Sequence, residues 1–188
     1  MNVYDFDKTI YMGDSSLDFY LYCVAHYPFI LYYLPYQIFA FFIYKVGIMK
    51  KTKCKECFFI FLRGIPDIDR VVKEFWNKNE KKIYSWYIKQ KQDSDFIISA
   101  SPEFLLKEIC DRIGVTHLIA SKVDKHTGKF ESENCYGLIK KQRFLEEQPS
   151  ARVENFYSDS VSDTPMALMA QNAYIVHKDI IKDWEDIL

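Results

Sequence analysis

No excess of basic charge marks this sequence. Lys and Arg number 25 against 26 Asp and Glu, a formal net charge of −1. A nucleic-acid binder normally carries a basic balance or stripe, so nucleic acid is not an expected partner. A disulfide framework is missing too. The five cysteines, Cys23, Cys54, Cys57, Cys110 and Cys135, are odd in number and irregular in spacing, which points to a reduced, intracellular protein. The opening residues lack the charged and then apolar pattern of a secretory leader, in keeping with a cytoplasmic location. Cys54 and Cys57 form one CxxC, but no second pair stands where it would complete a zinc site. They read as two cysteines one turn apart on a helix. Repeats and low-complexity tracts are absent. A composition 49% hydrophobic and 27% charged excludes wholesale disorder. The 188 residues suffice for one domain, or one domain with an inserted subdomain.

What is present is an alternation. Short apolar runs at Asn2–Phe6, Asp95–Ser99, His117–Ala120, Glu154–Tyr157 and Tyr174–His177 have the length of buried strands. Helical signals lie between them. Ser101-Pro102-Glu103 reads as an N-cap, a proline at the first helical position and an acid in the first turn. It opens a run with Phe104, Leu105, Ile109 and Ile113 that Gly114 closes. Gly137–Gln148 is a second helical stretch, and Asp163-Thr164-Pro165 starts a third through Met169. The pattern predicts an α/β fold: a Rossmann-like parallel sheet with helices on both faces. Residues 15–92 depart from it. They read as helix throughout, interrupted at Pro28, Pro35, Gly47 and Gly64-Ile65-Pro66. The expected organisation is a core of residues 1–14 and 93–188 carrying an inserted all-helical cap, residues 15–92.

Two acidic clusters fall at predicted strand ends. Asp5-Phe6-Asp7-Lys8-Thr9 follows the first strand, and Ser158-Asp159-Ser160-Val161-Ser162-Asp163 follows the fourth. Ligands of open parallel sheets bind outside the carboxyl ends of the strands, so these carboxylates can converge on one crevice. One carboxylate can hold a hard cation and act as nucleophile, while another with a raised pKa serves as a general acid. The alternatives are an acidic turn for Asp5 and Asp7 and a helix cap for Asp163. Ser99, at the end of the second apolar run, and Lys140, on the later helix, are candidate phosphate ligands. Their plainer roles are a cap and a solvated helix residue. In sequence order, an acidic pair, a serine, a lysine and an acidic pair together read as a magnesium–phosphate site.

On these residues the chain resembles the haloacid dehalogenase superfamily of phosphohydrolases. Asp5 to Thr9 looks like the first motif, DxDx[TV]; Ser99 matches the second, Lys140 the third, and Asp159 with Asp163 the acidic fourth. Local wording, such as Ser99-Ala100-Ser101-Pro102-Glu103 and Asn134-Cys135-Tyr136-Gly137, is similar to the phosphoserine-phosphatase-like branch with its small helical cap. The resemblance implies a phosphatase. In it Asp5 is the nucleophile, Asp7 the general acid and base, and Ser99 and Lys140 the phosphate ligands. It implies Mg²⁺ as cofactor, held by Asp5, the Asp7 carbonyl and Asp159, with Asp163 orienting that set. Thr9 would steady the first loop, and Asp14 could imitate a glutamate that reads the substrate amine in phosphoserine phosphatases proper. Lys8 receives no role. Phosphoryl transfer to an acceptor other than water, and a non-catalytic binding protein on the same fold, are the alternative functions.

From Phe19 to Tyr44 there is no Asp, Glu, Lys or Arg, while Tyr and Phe crowd the segment. Its length approaches that of a membrane span, but one crossing would separate Asp5 from Asp159. Three readings fit: the buried core of the cap with a homodimer contact, the lining of an apolar substrate pocket, or a segment dipping into one leaflet. In the last, Lys45, Lys50, Lys51, Lys53 and Lys55 would meet the headgroups. Similar family members with apolar caps include phosphatidylglycerophosphate phosphatases. The substrate expected from the last two readings is a lipid phosphate or other amphiphile; a phosphorylated small molecule such as phosphoserine is the alternative.

Overall fold

The computed structural model describes residues 1–187. Strand β1 (Asn2–Tyr4) leads into helices α1 (Ser15–His26), α2 (Leu34–Lys45), α3 (Lys51–Phe59), α4 (Ile68–Asn79) and α5 (Ser85–Gln90). Then follow β2 (Phe96–Pro102), α6 (Glu103–Arg112), β3 (His117–Ser121), α7 (Leu138–Glu147) and β4 (Val153–Ser158). The chain closes with α8 (Thr164–Ala167), β5 (Ala170–His177), β6 (Ile180–Asp183) and a 3₁₀ turn. The strands form one six-stranded sheet of order β3-β2-β1-β4-β5-β6. All neighbours are parallel except β5 and β6. The parallel α/β expectation therefore holds, with one correction: the sheet is mixed, because an antiparallel edge strand follows a turn at Lys178. The third predicted helix is also shorter than expected, ending at Ala167.

Side chains alternate across the sheet. Tyr4, Phe6, Ile97 and Ala120 share one core with α1, α4, α5 and α6. Val3, Phe96, Ile98, Ile119 and Phe156 share the other with Phe144 of α7 and Met166 of α8. Tyr4, Tyr157 and Tyr174 stack across three neighbouring strands, with ring centroids 4.8 and 4.9 Å apart, and Trp86 and Tyr87 of α5 cover Tyr4. Trp76 of α4 is fully buried and donates to the Leu105 carbonyl at 2.7 Å. The helices of residues 15–92 thus continue into the core of the sheet as well as reaching over its edge.

Caps set the helix starts. Asp14 accepts from Leu17 N (3.0 Å) and Asp67 from Arg70 N (3.1 Å). Helix α3 is fastened from the far side. Phe130 N donates to Glu56 (3.1 Å), and Gly128 lies so close that a Cβ would sit 2.5 Å from the Phe59 carbonyl oxygen. Only glycine permits that approach, which is made at φ +73°.

The aromatic segment belongs to the core mainly in its first part, at Phe19, Tyr20 and Cys23. Between Pro28 and Lys45 only Ile30, Gln37 and Ala40 are buried, while Tyr32, Phe39, Phe41 and Phe42 are exposed, Tyr32 by 86%. Gln37 is buried because it ties three elements together: it accepts from Tyr20 Oη (3.0 Å) and donates to the Phe58 carbonyl (2.7 Å). Among the described residues, no helix is long and apolar enough to cross a membrane.

Candidate active site

The strand order reverses between β1 and β4, the place where open parallel sheets leave a crevice. Asp5 follows β1, and its amide donates to Tyr157 of β4 at 2.8 Å. Asp159 follows β4. Between and above them lies a cleft of about 470 Å³ lined by Asp5, Asp7, Asp14, Ser99, Lys140, Asp159 and Asp163. Seven of the eight residues singled out in the sequence are therefore brought together. Thr9 is not on the wall: it is fully buried, and its hydroxyl has no partner among the described residues.

Lys140 is the hub of one side. It is 2% exposed, and its Nζ donates to Asp5 (2.7 Å) and Asp163 (2.6 Å). Burial would lower its pKa, but the two carboxylates overcome that and raise it. It is not the solvated helix residue that its position suggests. Asp163 does not cap α8 with its side chain. Its Oδ2 also accepts from Ser158 Oγ (2.8 Å), and its Oδ1 is buried without a partner among the described residues. Asp5 is pushed up to about 7, chiefly by burial, with Asp163 and Asp159 adding to the rise and Lys140 opposing it. Burial raises Asp159 also, against Lys8 and Lys140.

Asp7 heads the other side. Its Oδ1 accepts from the Ser15 amide at the start of α1 (2.6 Å) and its Oδ2 from Ser101 Oγ (2.5 Å). Burial, and then the Asp14 charge, push its pKa up to about 6 despite those bonds. Asp7 can therefore hold or release a proton near neutral pH. Ser101 was read as a helix cap; instead β2 runs on to Pro102 with an irregularity after Ser99, and the Ser101 hydroxyl turns to Asp7. Ser99 consequently ends no strand and stands at no helix terminus. It is buried, and its Oγ accepts from Ser101 N (3.1 Å). Asp14 reaches the cleft while its Oδ1 is engaged by the α1 cap.

Three cleft lysines lie where the sequence did not place them: Lys8 received no role, and Lys51 and Lys55 were expected at lipid headgroups. Lys8, in the left-handed region at φ 58°, lines the cleft in the tight turn after Asp7; such backbone is costly for a non-glycine residue and clusters at functional sites. Lys51 and Lys55 of α3 also face the cleft, and Lys53 pairs with Glu56 at 2.8 Å. Their i, i+4 spacing is the one signal that could have grouped Lys51 with Lys55.

The donor set suits a hard cation. Carboxylate oxygens crowd the cleft, one of them buried and unpartnered, and Asp5 and Asp159 have pKa values raised chiefly by burial, with neighbouring carboxylates adding to the rise. Among the described residues, no group of three or more His, Cys, Asp or Glu side chains is placed to hold a metal ion by itself. Mg²⁺ does not need one, because it commonly takes one or two carboxylates and keeps waters.

A family model for haloacid dehalogenase-like hydrolases matches residues 3–168. No curated protein matches the chain. Among solved structures, a protein of unknown function from Bordetella pertussis Tohama I aligns with TM-score 0.76 and 18% identity, over 92% of this chain and 87% of that one. A phosphoserine phosphohydrolase-like protein from Francisella tularensis subsp. tularensis SCHU S4 aligns with TM-score 0.58 and 16% identity, over 95% and 90%. A phospho-aspartyl intermediate analogue of phosphoserine phosphatase aligns with TM-score 0.52 and 15% identity, over 91% and 83%. At such identities the likeness is one of fold.

Proposed function

Because this chain belongs to the haloacid dehalogenase-like hydrolase family, we propose that it is a Mg²⁺-dependent phosphomonoesterase working through an aspartyl-phosphate on Asp5. The observation that carries the reading is the pairing of Asp5, anchored by Lys140, with Asp7, held by Ser15 and Ser101, at the switch point of the sheet. An Asp5 oxygen attacks phosphorus as the bond to the leaving oxygen breaks, and Asp7 gives that oxygen its proton. Asp7 then takes a proton from water, which attacks the same phosphorus and releases phosphate from Asp5. Ser99 and Lys140 neutralise the phosphoryl oxygens. Mg²⁺ would be held by the Asp5 carboxylate, the Asp7 carbonyl and Asp159, with Asp163 orienting that set, and when bound would offset the phosphoryl charge. Thr9 supports the first loop from beneath, and Asp14 raises the Asp7 pKa.

The test is phosphate release from an aryl phosphate with Mg²⁺, abolished by EDTA; no release at any divalent concentration would remove the reading. Asp7→Asn is expected to lower turnover by about 10²–10⁴-fold, the usual worth of a general acid–base. The loss in the phosphorylation step should shrink for leaving groups that need no proton. Equal losses for good and poor leaving groups would take the general-acid role from Asp7. Transfer to an alcohol acceptor would proceed from the same intermediate, and product analysis separates it from hydrolysis.

A lipid phosphate is the substrate favoured by the exposed side chains of residues 15–92, the proposed cap. Phe39 and Phe42 are each 61% exposed. Lys45 and Lys50 flank the patch and are exposed too, matching an anionic leaflet. Binding to vesicles of phosphatidylglycerol and phosphatidylcholine, weakened by salt and by Phe41→Ser with Phe42→Ser, is the expected result. A salt-insensitive dimer that sheds its contact in the double variant would assign the patch to a second copy instead.

A further inference from the structure

A lid that swings needs joints that bend and a far side that lets go. In the proposed cap both are tied. At its root the two chain crossings pair with each other: Met12 N donates to the Lys82 carbonyl and Tyr84 N to the Ile10 carbonyl, both at 2.8 Å. Asp18 Oδ2 secures that joint by accepting from Tyr11 Oη (2.6 Å) and Lys82 Nζ (3.0 Å). On one flank α6 holds α4. Beside the buried Trp76 bond, Arg112 donates to Asn77 (2.9 Å), Glu80 (3.3 Å) and the Lys73 carbonyl (3.1 Å). At the far side stands a hairpin of the core. After β3 the chain folds back, Val123 bridging to Phe130 and Glu131 N donating to the Lys122 carbonyl at 2.9 Å. This hairpin reaches both α3 and α4. Lys125 pairs with Asp69 of α4 at 2.5 Å. The Phe130 amide donates to Glu56 of α3, and its ring centroid lies 6.4 Å from that of Phe59. Gly128 rests so close on Phe59 that no side chain fits between them.

These fastenings bear on the cleft because Phe58 and Phe59 of α3 form part of its wall. An opening motion would have to break root, flank and far side together, and each stands on a different element of the core. The cleft nevertheless reaches solvent with all of them in place, since Leu17 and Tyr136 both line it and are exposed. Resting on the phosphomonoesterase reading, we propose that Gly128 and Glu56 are positioning residues that fix the Phe58–Phe59 wall, so that the cleft works with a fixed, open mouth. The consequence concerns the class of substrate. A site that closes has to enclose its leaving group. A site with a fixed mouth needs only the phosphoryl end, and it accepts phosphomonoesters whose leaving group stays outside, including those too large to enclose.

Gly128→Ala puts a side chain on left-handed backbone against Phe59. Amide exchange in α3 should quicken by about ten- to hundredfold, the worth of such strain. KM should rise more than kcat falls, because the wall moves while the reacting groups stay. Glu56→Gln should do the same to a smaller degree, and it carries the test if Gly128→Ala fails to fold. Exchange and KM unchanged in both variants would overturn the positioning role. The fixed mouth is tested by a reversible tether. In a Cys54→Ser background, Lys125→Cys and Asp69→Cys are joined by a short bis-thiosulfonate; the other native cysteines are buried. Tethered and reduced forms should turn over within about twofold of each other, since no opening step is needed. A loss on tethering that thiol restores would show that the far side has to let go, and would overturn the proposal. Substrate size gives the third readout. 2-Methoxyethyl phosphate and the same ester at the end of a long poly(ethylene glycol) chain should have kcat/KM within about threefold of each other. Cleavage of the small ester alone would overturn the open mouth. Calorimetry with inorganic phosphate and Mg²⁺ separates the mouth from the chemistry. If neither ester is cleaved, but phosphate binds tethered and reduced forms alike and exchange responds as expected, the phosphatase reading fails and the fixed mouth stands.

Discussion

Asp5→Asn is expected to lower turnover of any phosphomonoester by at least about 10⁴-fold, because an amide is a poor nucleophile and no neighbouring group can replace it. The fold should survive the change. Asp5 is buried, and its pKa stands raised from 3.8 to about 7. A carboxylate shifted upward favours folding fully only while both states are protonated. Stability is lost as pH climbs from about 4 to about 7 and stays lost above that. Asparagine carries no such charge. In EDTA at pH 8, the variant should melt at or above the wild-type temperature, and the advantage should vanish near pH 4. Mg²⁺ should raise the wild-type melting temperature more than that of the variant. Phosphate release and thermal melts across pH read both effects. Near wild-type turnover would take the nucleophile's role from Asp5, and a variant that melts far below wild type at pH 8 would refute the electrostatic account.

Lys140→Ala should be the more damaging change to the fold. It leaves Asp5 and Asp163 buried without their shared cation, and breaking a buried pair in this way costs about 3–5 kcal/mol. Activity should fall with it, since a phosphoryl ligand is gone and Asp5 becomes harder to ionise. Adding Asp163→Asn to Lys140→Ala should restore part of the stability, because one uncompensated charge then disappears. Urea unfolding of the two single variants, the double variant and wild type forms the cycle that measures this coupling. Additive losses would mean that Lys140 and Asp163 are merely neighbours.

These two residues also mark how far a sequence can be read here. Asp5 was legible because its signal is local: a short apolar run, then an acid at the end of a strand. The same holds for β1 and β2, whose runs are buried on both faces of the sheet. Lys140 was legible only through its order among the motifs, since its immediate neighbours look like an ordinary solvated helix. Strand β6 could not be read, because its four residues are all exposed and it exists by pairing with β5. Ser101 misled for a physical reason. Ser-Pro-Glu is a strong helix-start signal, yet its hydroxyl is claimed by an aspartate 94 positions away. The aromatic segment was legible as apolar but not as exposed. Hydrophobicity does not say which faces are covered, and in α2 the buried residues are Gln37 and Ala40 rather than the phenylalanines.

The parallel pairing of β1 has a kinetic consequence. Val3 aligns with Phe96 on one side and Phe156 on the other, 93 and 153 residues later in the chain. The strand that leads into Asp5 is therefore made long before either of its neighbours. Until β4 leaves the ribosome, the apolar residues of β1 have no complete place in the sheet. Contacts of such long sequence separation must meet the entropy of closing large loops before they return any stability, which slows folding and prolongs the exposure of strand edges. The helices of residues 15–92 are the first partners available to Tyr4 and Phe6.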